Sequence, residues 1–478
     1  MRKPTRVVIG VFLGSLLFGQ SALASKSLSQ IEYALFKDPY ANVEADLRML
    51  VDHGDLVAMR ILGDVLATTN TGTPAERLSL YQASFAEGRG EVRALAAMAR
   101  MMESDSYRRR HYLDFFQRAV SQYPQQRDLQ TLSTSLDVFL IYPELFAPRA
   151  AADLIQLHRR SCLVNCATEL YEAVLAERQG NPAQADILYR QAVLVDDRAV
   201  ERYYRFLAER QTELFPPFAR QLMPQADSMS AASVHLVGVV LDRLADLARA
   251  DERIDEQRRR QLADAAGIKF EPQASDQVVE SEVLRREALA WIDNAAARKW
   301  VPAMSTRFYF MTSYPDNFSG AEAFRLIDEI AELDPDRART LRVSALMVSN
   351  WSTLNPKKAH VLIQQMIAEG EPGGYALLGD LYSRGGLDEP DQQRALAIFE
   401  DIAKRDSPSA YFSQARIYAG GPAICSDPPR AYALAGAAYE LGVERARSLI
   451  KELAFELTDD ERARAEAMRD DILRELKI

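Results

Sequence analysis

Histidine and cysteine are scarce in this 478-residue chain, at five and three residues. His53, His111, His158, His235 and His360 are scattered, and no pair falls in H-E-x-x-H or another metal-ligand spacing. No G-x-S-x-G elbow, P-loop or dinucleotide fingerprint occurs. The common signatures of zinc hydrolases, serine hydrolases and nucleotide enzymes are therefore missing. The chain reads as non-catalytic, with no catalytic residue, cofactor or metal site. Its 68 carboxylates allow an acid–base pair that no motif would announce, but they fall mostly on outward helix faces, where solvation explains them.

A basic excess is also missing. Lys and Arg number 58 against 68 acids, a net charge of −10. Such a surface repels phosphate backbones and excludes nucleic acid as a partner class. It offers no long-range attraction to an acidic polysaccharide, although a local basic groove would.

Long apolar runs are absent except at the start. Met1 to Arg6 is basic, residues 7–18 are apolar, and Ala22-Leu23-Ala24 is an A-x-A site, the three parts of a secretory signal peptide. The apolar run is about 12 residues, short of the ~20 needed to span a bilayer. Cleavage between Ala24 and Ser25 is expected, giving a periplasmic chain. Ser25 stands where a lipoprotein carries its cysteine, so no lipid anchor is expected. In an oxidising compartment a disulfide is permitted. Cys162 and Cys166, four apart, are the candidate pair; a bridge to Cys425 and three buried thiols remain alternatives. C-x3-C without histidines is a poor zinc pattern.

What is present is periodicity. Trp291, Ile327, Ile363, Phe399 and Ala435 form a ladder with a step of 36 residues. So do Phe310, Leu346, Tyr382 and Tyr418, then Ala295, Ala331, Ile367, Ala403 and Tyr439, and then Ala323, Ala359, Ala395 and Ala431. The same step pairs Leu62 with Met98, Gly63 with Ala99 and Leu80 with Phe116. Two helices and two short turns fill such a unit. One hairpin cannot bury both of its apolar faces, so hairpins must stack. Gly63, Ala99, Gly379 and Ala415 mark the closest helix approaches. Proline after Thr73, Asn355, Glu389 and Asp427 opens second helices, and Thr458 with Glu461 forms a capping box. His360 takes the place of Phe324, Leu396 and Tyr432 and reads as a packing residue.

The step fails between about Leu214 and Leu284. Phe215-Pro216-Pro217 is expected to interrupt a helix, residues 249–260 form a solvated charged face, and residues 267–281 read as an irregular connection. The organisation is thus a signal peptide (1–24), N-terminal repeats (25–213), an irregular helical segment (214–284) and C-terminal repeats with a capping helix (285–478).

Ala173, Gly180, Ala185, Tyr189 and Ala192 stand at tetratricopeptide-repeat positions, and the 36-residue units resemble the related Sel1-like repeat, as in Leu80 to Gly88 and Tyr432 to Gly442. This resemblance implies an all-α, right-handed superhelical solenoid. A closer resemblance, carried by residues 135–148, 166–181 and 308–316, is to the AlgK-like family of alginate-biosynthesis scaffolds. It implies a non-catalytic scaffold in exopolysaccharide secretion, supporting an outer-membrane polysaccharide porin and contacting periplasmic alginate-modifying proteins. Ser25 departs from that family's lipid-bearing cysteine, so a protein partner would have to hold this chain at the outer membrane. The alternatives are an envelope regulator of the same repeat class and a module that binds an anionic polysaccharide directly. Arg108, Arg109 and Arg110, next to His111, are the candidate anion or partner contact, because Arg forks onto carboxylates. Tyr107, Tyr112, Phe115 and Phe116 beside them are expected to face the core.

Overall fold

The computed structural model describes residues 26–476, apart from 39–40, 70, 123–127, 163–166, 271–278, 372, 385–386, 388–390, 406 and 422–423. The signal segment with Ala24 and Ser25, Cys166, and the Glu389-Pro390 step lie outside the described residues. Among the described residues there are twenty-five α-helices and no strand. Most are 9 to 14 residues long, such as Leu56–Thr68, Pro74–Phe85 and Pro356–Ala368. Lengths of this order are marginal in isolation, so stacking must stabilise them. The protein is an all-α solenoid of helix hairpins.

The hairpins begin by a shared device. Thr73, Asn181, Asp334, Asn355 and Asp427 each accept a hydrogen bond from the backbone N–H three residues on, and each is followed by proline. The side-chain oxygen satisfies one orphan donor, while proline removes another and presets φ. Thr458 and Glu461 form the expected capping box, and Ser319 with Glu322 forms a second.

The 36-residue step is visible in the bonds themselves. The N–H groups of Asn355, Asp391 and Asp427 donate to the carbonyls of Leu346, Tyr382 and Tyr418 at 2.9, 3.0 and 2.9 Å. Each bond clips the start of a second helix to the end of the first. Arg394 then lies 4.2 Å over the Tyr382 ring, and Arg430 lies 4.4 Å over Tyr418, one step later. The predicted ladders point inward: Trp291, Ile327, Ile363, Phe399 and Ala435 are all buried, as are Ala323, Ala359, Ala395 and Ala431. In the ladder of Ala295, only Ala295 and Ala403 are fully buried; Ala331, Ile367 and Tyr439 are half-buried.

Small residues do sit where helices touch. A Cβ on Gly63 would lie 2.6 Å from the Tyr81 ring, and one on Gly379 2.7 Å from Phe399. Ala99 and Ala415 are fully buried. His360 is half-buried beside Gln364, consistent with packing.

Between Leu214 and Leu284 the phase is lost for a concrete reason. A 35-residue helix, Ala231–Ala265, packs along the 18-residue helix Glu280–Ala297. Gly238 allows that contact, since a Cβ there would meet Ile292 at 2.8 Å. Phe215-Pro216-Pro217 does not interrupt a helix as expected. It opens Phe215–Leu222, with proline in the first turn, where no N–H is missed. The charged run 249–260 is likewise more than a solvated face, because Asp251 and Arg253 are bonded to the C-terminal end of the array.

Candidate functional site

The C-terminal helices turn back onto the N-terminal half. The Ser106 hydroxyl donates to the Glu440 carboxylate at 2.6 Å, and Arg110 reaches the same carboxylate at 2.9 Å. Arg447 donates to the Tyr204 hydroxyl at 3.2 Å. Lys451 meets Asp251 at 2.5 Å, and Arg253 meets Glu452 at 3.0 Å. Tyr107 packs against the cluster of Ala437, Leu441 and Leu473. Gly442, at φ +95°, brings its backbone so close to Ser104 that a Cβ would meet the Ser104 Oγ at 2.9 Å. Glycine alone suits both demands there.

Closure leaves an open cleft of about 950 Å³, walled by helices between residues 103 and 209 and by Tyr439, Glu444 and Arg447 from the returning end. Its wall mixes charge. Arg202 Nε lies 3.2 Å from Glu103, and Arg205 donates to the Glu103 carbonyl at 2.6 Å. Arg178 donates to the Glu144 carbonyl at 3.2 Å. Tyr189, fully buried, donates to Glu177 at 2.9 Å. Burial pushes the Arg202 guanidinium down despite Glu103, and pushes the Tyr204 and Tyr439 hydroxyls up. The raised Tyr204 and Tyr439 hydroxyls are neutral at neutral pH. The wall therefore offers fixed positive charges, hydroxyls and carboxylates, a binding chemistry.

The Arg triplet occupies the short helix Ser106–His111. Arg108 is buried and paired with Asp105 at 2.5 Å. Arg109 holds Glu144 at 2.6 Å and the Ile141 carbonyl at 2.9 Å, and stacks 5.0 Å over Tyr142. Arg110 holds Glu440. All three guanidinium groups thus bond carboxylates of the chain itself, and Arg109 also lines the cleft. Phe116 and Tyr112 are buried, Phe116 stacking on Tyr142 at 4.5 Å. Cys162 is disulfide-bonded and Cys425 carries an exposed free thiol; Cys166, the expected partner of Cys162, lies outside the described residues. Among the described residues no group of three His, Cys, Asp or Glu is placed to hold a metal ion. Among them, too, no helix is long and apolar enough to cross a membrane.

The residues that close the array (Glu440, Arg447, Lys451, Asp251 and Arg253) carry no local motif. Their partners stand 199 to 334 positions away for Arg253 and Ser106.

No family model matches the chain, and no curated protein matches it. Several solved structures resemble it at low identity. A protective antigen of uropathogenic Escherichia coli displaying an SLR fold is 16% identical, with 90% of this chain and 94% of that one covered and a TM-score of 0.25. A Sel1 repeat protein from Oxalobacter formigenes is 16% identical over 53% of this chain and 98% of that one, with a TM-score of 0.22. A chain of the Naa15/Naa10 complex bound to HypK-THB is 14% identical over 92% of this chain and 67% of that one, with a TM-score of 0.23.

Proposed function

We propose that this protein is a non-catalytic scaffold that holds a segment of a protein partner in the open cleft between its hairpins. One observation carries the reading: the returning end, through Glu440, Arg447 and Lys451, joins the N-terminal half and leaves an open cleft of about 950 Å³ walled by mixed charge. A long stack presents a rigid surface whose side chains are fixed in advance. Fixed arginines and tyrosines are the residue types that dominate protein interfaces.

The partner class follows from the sequence resemblance. We place the chain in the periplasm, in an assembly that makes and exports an alginate-type exopolysaccharide. There it supports an outer-membrane polysaccharide porin and contacts polymer-modifying proteins. Affinity co-purification of the tagged protein from detergent-solubilised envelopes tests this. Recovery of a polysaccharide porin and polymer-modifying enzymes is expected. Recovery of unrelated envelope regulators alone, or of nothing above an untagged control, overturns the secretion role.

A further inference from the structure

The hairpins rest on their neighbours through buried apolar clusters, one running from residue 78 to residue 303 and three more over 301–351, 343–417 and 412–446. The contact between the returning end and the N-terminal half is built differently. Glu440 takes the Ser106 hydroxyl and Arg110, Lys451 meets Asp251, and Arg253 meets Glu452. The side chains of Arg110, Arg253, Lys451 and Asp251 are 42 to 59% exposed. Among the described residues the apolar cluster that joins the two halves is small, centred on Ala437, Leu441 and Leu473 with Tyr107 from the N-terminal half.

Exposed ion pairs each contribute little and weaken in salt, whereas the apolar stacking clusters do not. Repeat arrays change curvature by small rotations spread over successive hairpins. The returning end can therefore leave the N-terminal half with these four stacking clusters intact. The contact also belongs to the cleft. Ser106 and Arg447, which bond across it, line the cleft together with Tyr439 and Glu444. Parting the two halves removes one wall and widens the entrance. A segment that touches both walls binds the shut form better and so favours it, and the coupling is reciprocal.

We propose that the returning end is a salt-sensitive latch, which opens to admit a partner segment to the cleft and is held shut by the segment once seated. The proposal rests on the scaffold reading and adds the regulation of its cleft. The shut form prevails at low ionic strength, where the charge pairs are least screened. Opening is favoured as the screening length falls from about 10 Å at 0.1 M salt toward about 3 Å at 1 M.

A chain that can be locked tests the latch. Asp251→Cys/Lys451→Cys on a Cys425→Ser background places two thiols across the contact, while Cys162 is already disulfide-bonded. A short bismaleimide joins the two thiols. Small-angle scattering across that salt range should show the radius of gyration of the parent and of the unjoined variant rising, while the joined variant keeps its low-salt value. The Arg110→Gln/Arg253→Gln variant should open at lower salt than the parent. Circular dichroism that stays constant through the series excludes unfolding. A parent and an unjoined variant indifferent to salt, or a joined variant that expands as far as the unjoined one, overturns the latch. Admission is read by co-purification from envelope extracts, where the chain joined beforehand should lose most of the partner recovery that the unjoined chain shows. Equal recovery by both forms leaves the scaffold standing and the latch overturned. If the salt response is as expected but neither form recovers a partner, the latch stands and the scaffold reading falls.

Discussion

Ser106 and Glu440, 334 positions apart in the chain, are joined by a 2.6 Å hydrogen bond, and Arg110 bonds the same carboxylate. Burial works against ionisation of Glu440, but these two donors outweigh it and hold the carboxyl below its ordinary value. A lowered carboxyl contributes stability that is present above the unfolded value and is lost as pH falls through the folded one. Glu440→Ala removes the acceptor and leaves Ser106 and Arg110 facing an empty site, at a cost of about 1–3 kcal/mol. The closure should loosen, and small-angle scattering should show a larger radius of gyration than for the parent.

Gly379 and Gly63 should tolerate no side chain. Gly379→Leu drives carbon into the Phe399 ring, and overpacking of this kind costs about 1–3 kcal/mol. Gly373→Ala, which meets nothing within 4 Å, is the control and should leave the melting temperature near the parent's.

Asn355 and Asp427 cap helices two repeats apart. Alanine at either position should cost about 1 kcal/mol in denaturant unfolding. The backbone bonds from these residues to Leu346 and Tyr418 survive the change, so the repeats should stay in register and the circular dichroism spectrum should keep its shape.

Two half-buried groups on the long helix oppose each other in acid. Burial, and then Asp246, raises Asp242 from 3.8 to about 6, against the pull of Arg285 and Arg243. Its contribution is complete below pH 3.8 and declines as pH rises through about 6. Burial, and then Arg243, lowers His235 from 6.5 to about 4. Its contribution is complete above pH 6.5 and is lost as pH falls toward 4. The two slopes partly cancel, so these groups leave stability shallow in pH between about 4 and 6. Asp242→Asn removes a term of up to about 3 kcal/mol. Stability should then fall more steeply on acidification, whereas His235→Gln should make it rise. Unfolding measured across that range distinguishes the slopes.

The repeat is legible in the sequence because stacking demands the same size of side chain at each equivalent point, as Ala323, Ala359, Ala395 and Ala431 show. The caps are legible because Asp or Asn before proline has a local cause. The cleft is not. It exists only because Glu440 and Lys451 meet residues far away in the chain, and exposed glutamates and lysines look alike in any helix. The Arg108–Arg110 triplet attracts notice as a run of charge, but each member meets its carboxylate through folding. The long hairpin around Gly238 is also hidden, since its helices depart from the repeat length that reveals the others.

The closed array is tested most directly by zero-length carbodiimide cross-linking of the full chain, read by mass spectrometry. Lys451 Nζ and the Asp251 carboxylate are 2.5 Å apart and both accessible, so an amide joining the two peptides is expected within single molecules when isotopically light and heavy protein are mixed. Modification of both residues without that link, or a link found only between light and heavy copies, would contradict closure and with it the cleft on which the functional reading stands.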